Sequence, residues 1–368
     1  MTGSPTRAPA QADQTACSRL HDRAGTSAYG TAAQARFWVA LEQHGPWGRD
    51  APTQSQLDPA LGAALADACA AAGGRLLLIR PPGPHPHPPA GVVAARTVLI
   101  GYAGPAPWLL HGLIDDPASL LRLDWRALGA GDRAAVRRSA GWATPSHTPM
   151  LLVCTNGKRD LCCAVRARPV ALGAAAQRPG QVWECSHTGG HRLAPTGVLL
   201  PVGRVLARLD ADLAVAALAA AADRRLPLEL LGPWHDRGCS ALSAPAQAAE
   251  SAVRAHLGET AWAAVLAGPP RAVPPDLPQR STPGPNGPGE RVLDHPVPRE
   301  PQGPAWEVTV RHTDGRAWVV RVESEVVMAL PESCGREPAP RESWRLADPA
   351  GLTRSRAASP PARTPVSD

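Results

Sequence analysis

Hydrophobic and polar positions divide the first part of the chain into alternating helices and strands. Residues 31–42 (TAAQARFWVALE) have helical periodicity, and the Ala/Leu-rich segment 59–72 predicts a second helix. Short apolar runs at 75–79 and 96–103 predict buried strands on either side of a Pro/His loop. Because helices and strands alternate, residues 16–147 are predicted to form an N-terminal α/β domain.

The pattern from 148 to 268 predicts a second α/β domain of a recognisable layout. A strand at 150–156 is followed by an Ala-rich helix at 163–177, in which Pro169 must lie near the first turn. The later segments predict a strand at 181–185, a hairpin at 196–210, a helix capped by Asp210 at 210–223 and a helix at 246–257. This order of β-α-β, hairpin and helix is the thioredoxin-like layout.

The remaining segments carry weaker or simpler patterns. Residues 1–15 and 348–368 are predicted to be disordered tails, and residues 269–304 a Pro/Gly-rich linker. Alternating apolar and polar residues at 306–328, around Asp314-Gly315, predict a small C-terminal β-hairpin within 305–347.

Composition and charge exclude several classes of partner. The chain has 368 residues and a formal net charge of +6, but the arginines are interleaved with acidic residues and no run of five basic residues occurs. We therefore expect no nucleic-acid partner. The N-terminus lacks the layout of a signal peptide and no apolar run is long enough to span a membrane, so we expect a cytoplasmic protein without a membrane partner. In a reducing compartment, the eight cysteines are better explained as ligands or core residues than as disulfides.

Cysteines and histidines gather around two loops of the second predicted domain. Cys154 lies at a strand end, Cys162 and Cys163 lie at the start of the next helix, and His187 and His191 follow the second strand. Thiolates and neutral imidazoles bind both iron and zinc. Adjacent strand ends of one sheet would bring the two loops together, so we expect a metal site here.

Five segments make the chain similar to the sucrase/ferredoxin-like family, specifically to its bacterial members. They are YGTAAQARFWVALEQHGPWGRDA (29–51), LLVCTNGKRDLCCAVRARPVA (151–171), WECSHTGGHRLAPTGVLLPVG (183–203), APAQAAESAVRAHLG (244–258) and SCGREPAPRESWRL (333–346). The resemblance implies a thioredoxin-like ferredoxin, a carrier of electrons between redox donor and acceptor proteins rather than a stand-alone enzyme.

The resemblance also implies a cofactor and its ligands. Fungal members of the family look like two-iron ferredoxins with a Cys-x8-Cys and a His-x3-His ligand set. Carried to this chain, the pattern implies a [2Fe–2S] cluster with Cys154 and Cys163 on one iron and His187 and His191 on the other. Cys162 departs from the fungal pattern and leaves the choice between Cys162 and Cys163 open, although the spacing favours Cys163.

Two other functions are compatible with the same residues. Two cysteines and two histidines also form a zinc site, which would make the chain a structural or binding protein. Cys162 and Cys163 could instead serve a thioredoxin-like thiol oxidoreductase. The expected packing residues are Cys17, Cys69 and Cys239. Cys185 lies two residues before His187 on the same strand face, so it could be a core residue, which we favour, or an alternative ligand. Cys334 lies in a Ser-Cys-Gly family motif without an assigned role. Neither a GxGxxG fingerprint after a strand nor a paired-carboxylate site for glycoside hydrolysis is found.

Overall fold

In the computed structural model, which describes residues 16–84, 95–273 and 304–347, ten strands form one mixed sheet. The strands are β1 (Phe37–Glu42), β2 (Arg75–Arg80), β3 (Arg96–Tyr102), β4 (Trp108–Ile114), β5 (Ala143–Ser146), β6 (Met150–Cys154), β7 (Val182–Cys185), β8 (Gly197–Leu200), β9 (Arg204–Leu206) and β10 (Asp236–Cys239). Their order across the sheet is β10-β9-β8-β6-β7-β2-β1-β3-β4-β5. The two halves of the chain meet where β2 pairs with β7.

Nine α-helices accompany the strands in the described residues. They are α1 (Cys17–Arg23), α2 (Ala51–Gln54), α3 (Pro59–Ala71), α4 (Trp125–Ala130), α5 (Arg133–Ser139), α6 (Leu161–Val165), α7 (Ala167–Gln177), α8 (Ala211–Ala222) and α9 (Ala244–Leu257). Short 3-10 turns occur at Pro117–Arg122, His191–Leu193 and Leu228–Leu230. Among the described residues, every helix falls short of the length and apolar character that crossing a membrane requires.

The thioredoxin-like part of the predicted α/β fold is present around β6. This strand is parallel to β7, antiparallel to β8, and β8 is antiparallel to β9. A parallel pair needs a crossover, which α6 and α7 supply. Packing of α7 and α8 against one face of these strands buries a core that includes Leu151, Val153 and Leu218. The mixed α/β class and its thioredoxin-like layout are therefore confirmed.

Most predicted elements of this region are found close to their predicted positions. The predicted cap of α8 is confirmed, because the Asp210 carboxylate accepts a hydrogen bond of 2.7 Å from the Leu213 N–H. The helix predicted at 163–177 is divided into α6 and α7, and Pro169 is the third residue of α7. A proline is tolerated there because the first turn of a helix has no intrahelical acceptor for its N–H.

The helix predicted at 31–42 is wrong, because residues 37–42 form strand β1 in the middle of the sheet. This strand pairs with β2 on one side and β3 on the other. Phe37 and Val39 enter one hydrophobic core, whereas Trp38 and Ala40 enter another on the opposite face. A strand buried on both faces is a continuous apolar run without polar alternation, and it resembles a buried helix in sequence.

A second, antiparallel sheet lies near the C-terminus. Its strands are β11 (Val265–Ala267), β12 (Arg271–Val273), β13 (Ala305–His312), β14 (Ala317–Leu330) and β15 (Ala339–Leu346). The predicted hairpin is confirmed as β13 and β14, which turn at Asp314-Gly315. The predicted tails and most of the predicted linker 269–304 lie outside the described residues, and β12 occupies part of the rest.

A buried ion network joins the edge of the large sheet to α9. Both guanidinium Nη atoms of Arg204 donate to the Glu250 carboxylate at 2.6 and 3.0 Å, and Arg254 Nε donates to it at 2.8 Å. Asp236 Oδ1 lies 3.5 Å from Arg204 Nη1. Because α9 also packs on the second sheet, this network fixes the two sheets to each other.

Candidate metal centre

The candidate centre begins at two neighbouring strand ends. β6 ends at Cys154, which lies in register beside Cys185 at the end of β7. The Cys154 N–H donates to the Thr196 carbonyl at 2.9 Å, so the thiol is held at the edge of the sheet. His187 follows β7 by two residues. Because parallel strands end at the same edge, the two loops meet there.

The short helix α6 brings Cys163 to this edge. Asp160 begins the helix, since its Oδ1 accepts a hydrogen bond of 2.9 Å from the Cys162 N–H. The Sγ atoms of Cys154 and Cys163 and one ring nitrogen of His187 all lie within 4.8 Å of one another. Consecutive helical residues point about 100° apart, so Cys162 faces away from this group.

The loop from His187 to His191 curves around the same edge. Its Gly189 and Gly190 have φ of +85° and +72°, the left-handed region that glycine adopts without a steric penalty. The two imidazole ring centroids lie 5.2 Å apart, although His191 is not within the 4.8 Å group. Instead its Nε2 lies 3.6 Å from Asp160 Oδ2. The Nδ1 atoms of both histidines are buried without a hydrogen-bond partner among the described residues.

Arg237 holds this histidine loop from behind. Its buried guanidinium donates from Nη1 to the Gly189 carbonyl at 2.8 Å, from Nε to the Thr31 hydroxyl at 3.1 Å, and from Nη2 to the Thr31 carbonyl. A Cβ added to Gly190 would lie 2.4 Å from Arg237 Nη2. The sequence gives no signal for this role, because Arg237 belongs to β10, far from either cysteine or histidine motif.

The electrostatics of the site favour a thiolate at Cys154. A hydrogen bond from Cys163 lowers the pKa of Cys154 well below its usual range, and His187 and the Thr188 N–H lower this pKa further. As the donor in that pair, Cys163 has its pKa raised, and burial raises it further. Burial lowers the pKa of Arg237 to about 10, while the nearby Cys154 opposes that shift.

The structure places most of the remaining cysteines in one of two environments, the hydrophobic cores or a second group of thiols. Cys69 and Cys185 are buried core residues, and burial raises the pKa of both thiols. Cys162 belongs to a second group with Cys17, Cys334 and Asp160. Sequence reasoning missed Asp160, whose position two residues before Cys162 is a detectable helix-cap signal.

The donor set of the first group can hold an inorganic centre. Two thiols and two imidazoles face one edge. The Nδ1 atoms of both histidines are buried and find no hydrogen-bond partner in the part of the chain that the structure describes, so a bound centre or its surroundings would have to satisfy them. Such a set fits a two-iron cluster with mixed ligands and also fits a single zinc ion.

Comparison with known proteins gives a match to a protein family. The profile of a family described as Sucrase/ferredoxin-like matches residues 28–220, which is more than half of the chain. The matched segment includes both cysteines and both histidines of the centre, but not Cys17 or Cys334. Neither the curated proteins nor the solved structures yield a match.

Proposed function

The chain belongs to the sucrase/ferredoxin-like family, and from this premise we propose that it binds a [2Fe–2S] cluster through Cys154, Cys163, His187 and His191. In this proposal the protein carries electrons between donor and acceptor proteins. Thiolate ligands suit a reducing compartment, so we propose a cytoplasmic location.

The proposal depends on one observation. Side chains from two loops, separated by more than twenty residues, converge so that ligand atoms of Cys154, Cys163 and His187 lie within 4.8 Å of one another, with the His191 ring beside that of His187. Buried polar atoms without partners are uncommon in native proteins, and within residues 16–84, 95–273 and 304–347 the Nδ1 atom of each histidine has none. A bound centre would account for the burial of these imidazole rings.

The bound cluster would supply one-electron redox chemistry. The residues around it set how easily an electron is accepted. Two neutral imidazoles in place of two thiolates leave the site less negative, which favours a higher potential than four cysteines give. The Thr188 N–H donates to the Cys154 sulfur, and the Arg237 guanidinium adds positive charge behind the loop.

Exposure supports electron exchange on the histidine side. Cys154 and Cys163 are at most 1% exposed, whereas the His191 side chain is 17% exposed. A redox partner that docks over the histidines would therefore approach the centre more closely than one that docks elsewhere on this edge.

A single zinc ion is the second candidate, because three ligand atoms within 4.8 Å also suit one tetrahedral ion. The thiol oxidoreductase has less support. Cys162 and Cys163 lie in different groups, and both thiols are at most 1% exposed, so neither is accessible to an external disulfide.

Anaerobic purification of the full chain with iron, zinc and acid-labile sulfide analysis tests the proposal. We expect about two iron and two sulfide per chain, red-brown colour and an EPR signal after reduction. Replacing Cys154, Cys163 or His187 by alanine, one at a time, should abolish or destabilise that signal. The Cys69→Ser variant is the control, because Cys69 lies in a separate core and should leave the iron content unchanged.

Two results would contradict the proposal. A colourless protein with zinc bound to the same four residues would support the second candidate instead. Iron and sulfide that survive all of these substitutions would place the cluster elsewhere in the chain.

A further inference from the structure

A second group of thiols lies outside the centre described above. Cys17 is the first residue of α1, Cys162 lies in α6, and Cys334 lies in the connection between β14 and β15. The Sγ atoms are separated by 3.4 Å between Cys17 and Cys162, 3.1 Å between Cys162 and Cys334, and 3.7 Å between Cys17 and Cys334. Three segments that are remote in sequence therefore meet at one point.

The spacing of these sulfurs is that of ligands around one metal ion. The centre of the triangle is about 2.0 Å from each sulfur, so a point just outside its plane lies about 2.3 Å from all three, the length of a Zn–S bond. A fourth donor is present, because an Asp160 carboxylate oxygen lies within 4.8 Å of the three sulfurs. We propose that Cys17, Cys162, Cys334 and Asp160 form a structural Zn²⁺ site.

Asp160 is oriented for this role by hydrogen bonds from the same segments. Its Oδ1 accepts from the Cys162 N–H at 2.9 Å and lies 4.0 Å from Cys17 Sγ. Its Oδ2 accepts from the Ser333 hydroxyl at 2.6 Å and from the Cys334 N–H at 2.9 Å. Ligating carboxylates are commonly held by such outer hydrogen bonds. The group is also enclosed, since Cys17, Cys162 and Asp160 are buried.

A metal ion accounts for this arrangement better than a disulfide does. A disulfide would join two of the sulfurs at about 2.0 Å and leave the third thiol and the buried carboxylate without a role. Three thiolates and one carboxylate instead give the closed, four-coordinate set that is typical of structural zinc. The ligands of this site are distinct from those of the first centre, because Cys162 and the adjacent Cys163 belong to different groups. The two sites are neighbours, since Asp160 Oδ2 lies 3.6 Å from His191 Nε2.

The consequence would be a cross-link between the two ends of the described chain. α1 has only seven residues and no side-chain cap. Its other ties include ion pairs of Asp22 with Arg208 at 2.7 Å and with Arg166 at 2.9 Å. Because metal binding contributes to folding free energy, zinc would hold α1 and the β14–β15 connection against α6.

Zinc analysis of the full chain tests the site. After growth with added Zn²⁺ and dialysis against a weak chelator, we expect about one zinc per chain. Cys17→Ser and Cys334→Ser should each lower retained zinc by roughly tenfold or more. Cys239→Ser is the matched control and should keep the zinc, because the Cys239 thiol donates to the carbonyls of Ala103 and Val202, which lie outside the group. Cys154→Ser should also keep it, since Cys154 belongs to the first centre.

Alkylation of the unaltered protein supplies a measurement that does not depend on a folded variant. Burial alone shields Cys17 and Cys162, so the informative thiol is Cys334, which is only partly buried. Mass spectrometry should show that Cys334 is protected and that all three thiols become reactive together as a strong chelator removes one zinc. Absence of zinc from the unaltered protein, with or without a disulfide among the three thiols, would overturn the proposal. Zinc that is lost with Cys154→Ser but retained in Cys17→Ser would also overturn it, because that zinc would belong to the first centre.

Discussion

Substitution of Gly190 by alanine should disturb the histidine loop through a specific clash. Gly190 has φ of +72°, and its added Cβ would lie 2.4 Å from Arg237 Nη2. The variant therefore meets two costs, one from the backbone conformation and one from the displaced guanidinium. Only the displacement of the Arg237 guanidinium removes support from the loop that carries His187 and His191.

The free-energy cost of each effect can be estimated from the structure. Alanine in the left-handed region costs about 1–2 kcal/mol. Moving the buried Arg237 guanidinium forfeits at least one hydrogen bond, to the Gly189 carbonyl or to Thr31, and a bond to a charged group contributes about 1.5–3 kcal/mol. The expected loss in the free energy of unfolding is thus about 2.5–5 kcal/mol.

Gly180→Ala is the matched control, because Gly180 has φ of +77° and no atom within 4 Å of an added Cβ. It should lose only about 1–2 kcal/mol. Urea unfolding gives the free energies, and metal analysis after anaerobic purification shows whether Gly190→Ala alone loses the bound centre. If the two variants are destabilised equally and retain metal equally, Arg237 does not support the loop as argued.

Three further predictions concern the ligand set and the buried ion network. His191→Cys should keep a cluster and lower its midpoint potential by about 100 mV or more, because a thiolate adds negative charge; an unchanged potential on a retained cluster in a redox titration would remove His191 from the proposed ligands. Glu250→Gln should lower the free energy of unfolding in urea by about 3–5 kcal/mol, because the guanidiniums of Arg204 and Arg254 lose their buried carboxylate; a loss below about 1 kcal/mol would contradict this. Burial alone would raise the pKa of Glu250, but these guanidiniums bring it from 4.5 to about 2. The stabilisation from Glu250 is therefore complete above pH 4.5 and is lost as the pH falls towards 2, so the stability gap between the unaltered chain and Glu250→Gln should narrow over that range; a gap of constant size would refute the assignment.

The sequence alone determined the elements whose signals are local. Turn residues bound the apolar run of β6, and Asp210 caps α8 in the predicted way. The predicted β-α-β order required a crossover, and that topology puts the ends of β6 and β7 at one edge. The proximity of Cys154 and His187 follows from this order, because Cys154 is the last residue of β6 and His187 comes two residues after the end of β7.

Tertiary structure decided what depends on neighbours that are distant in the chain. β1 was predicted as a helix because only its two flanking strands and two cores reveal that both of its faces are buried. The spacing favoured Cys163 over the adjacent Cys162 but left the choice open, and only the packing of α6 between α1 and the sheet edge places the two thiols in different groups. Cys17 and Cys334 are 317 residues apart and carry no common local signal. A contact between remote residues depends on the packing of whole elements, and local residue patterns do not encode that packing.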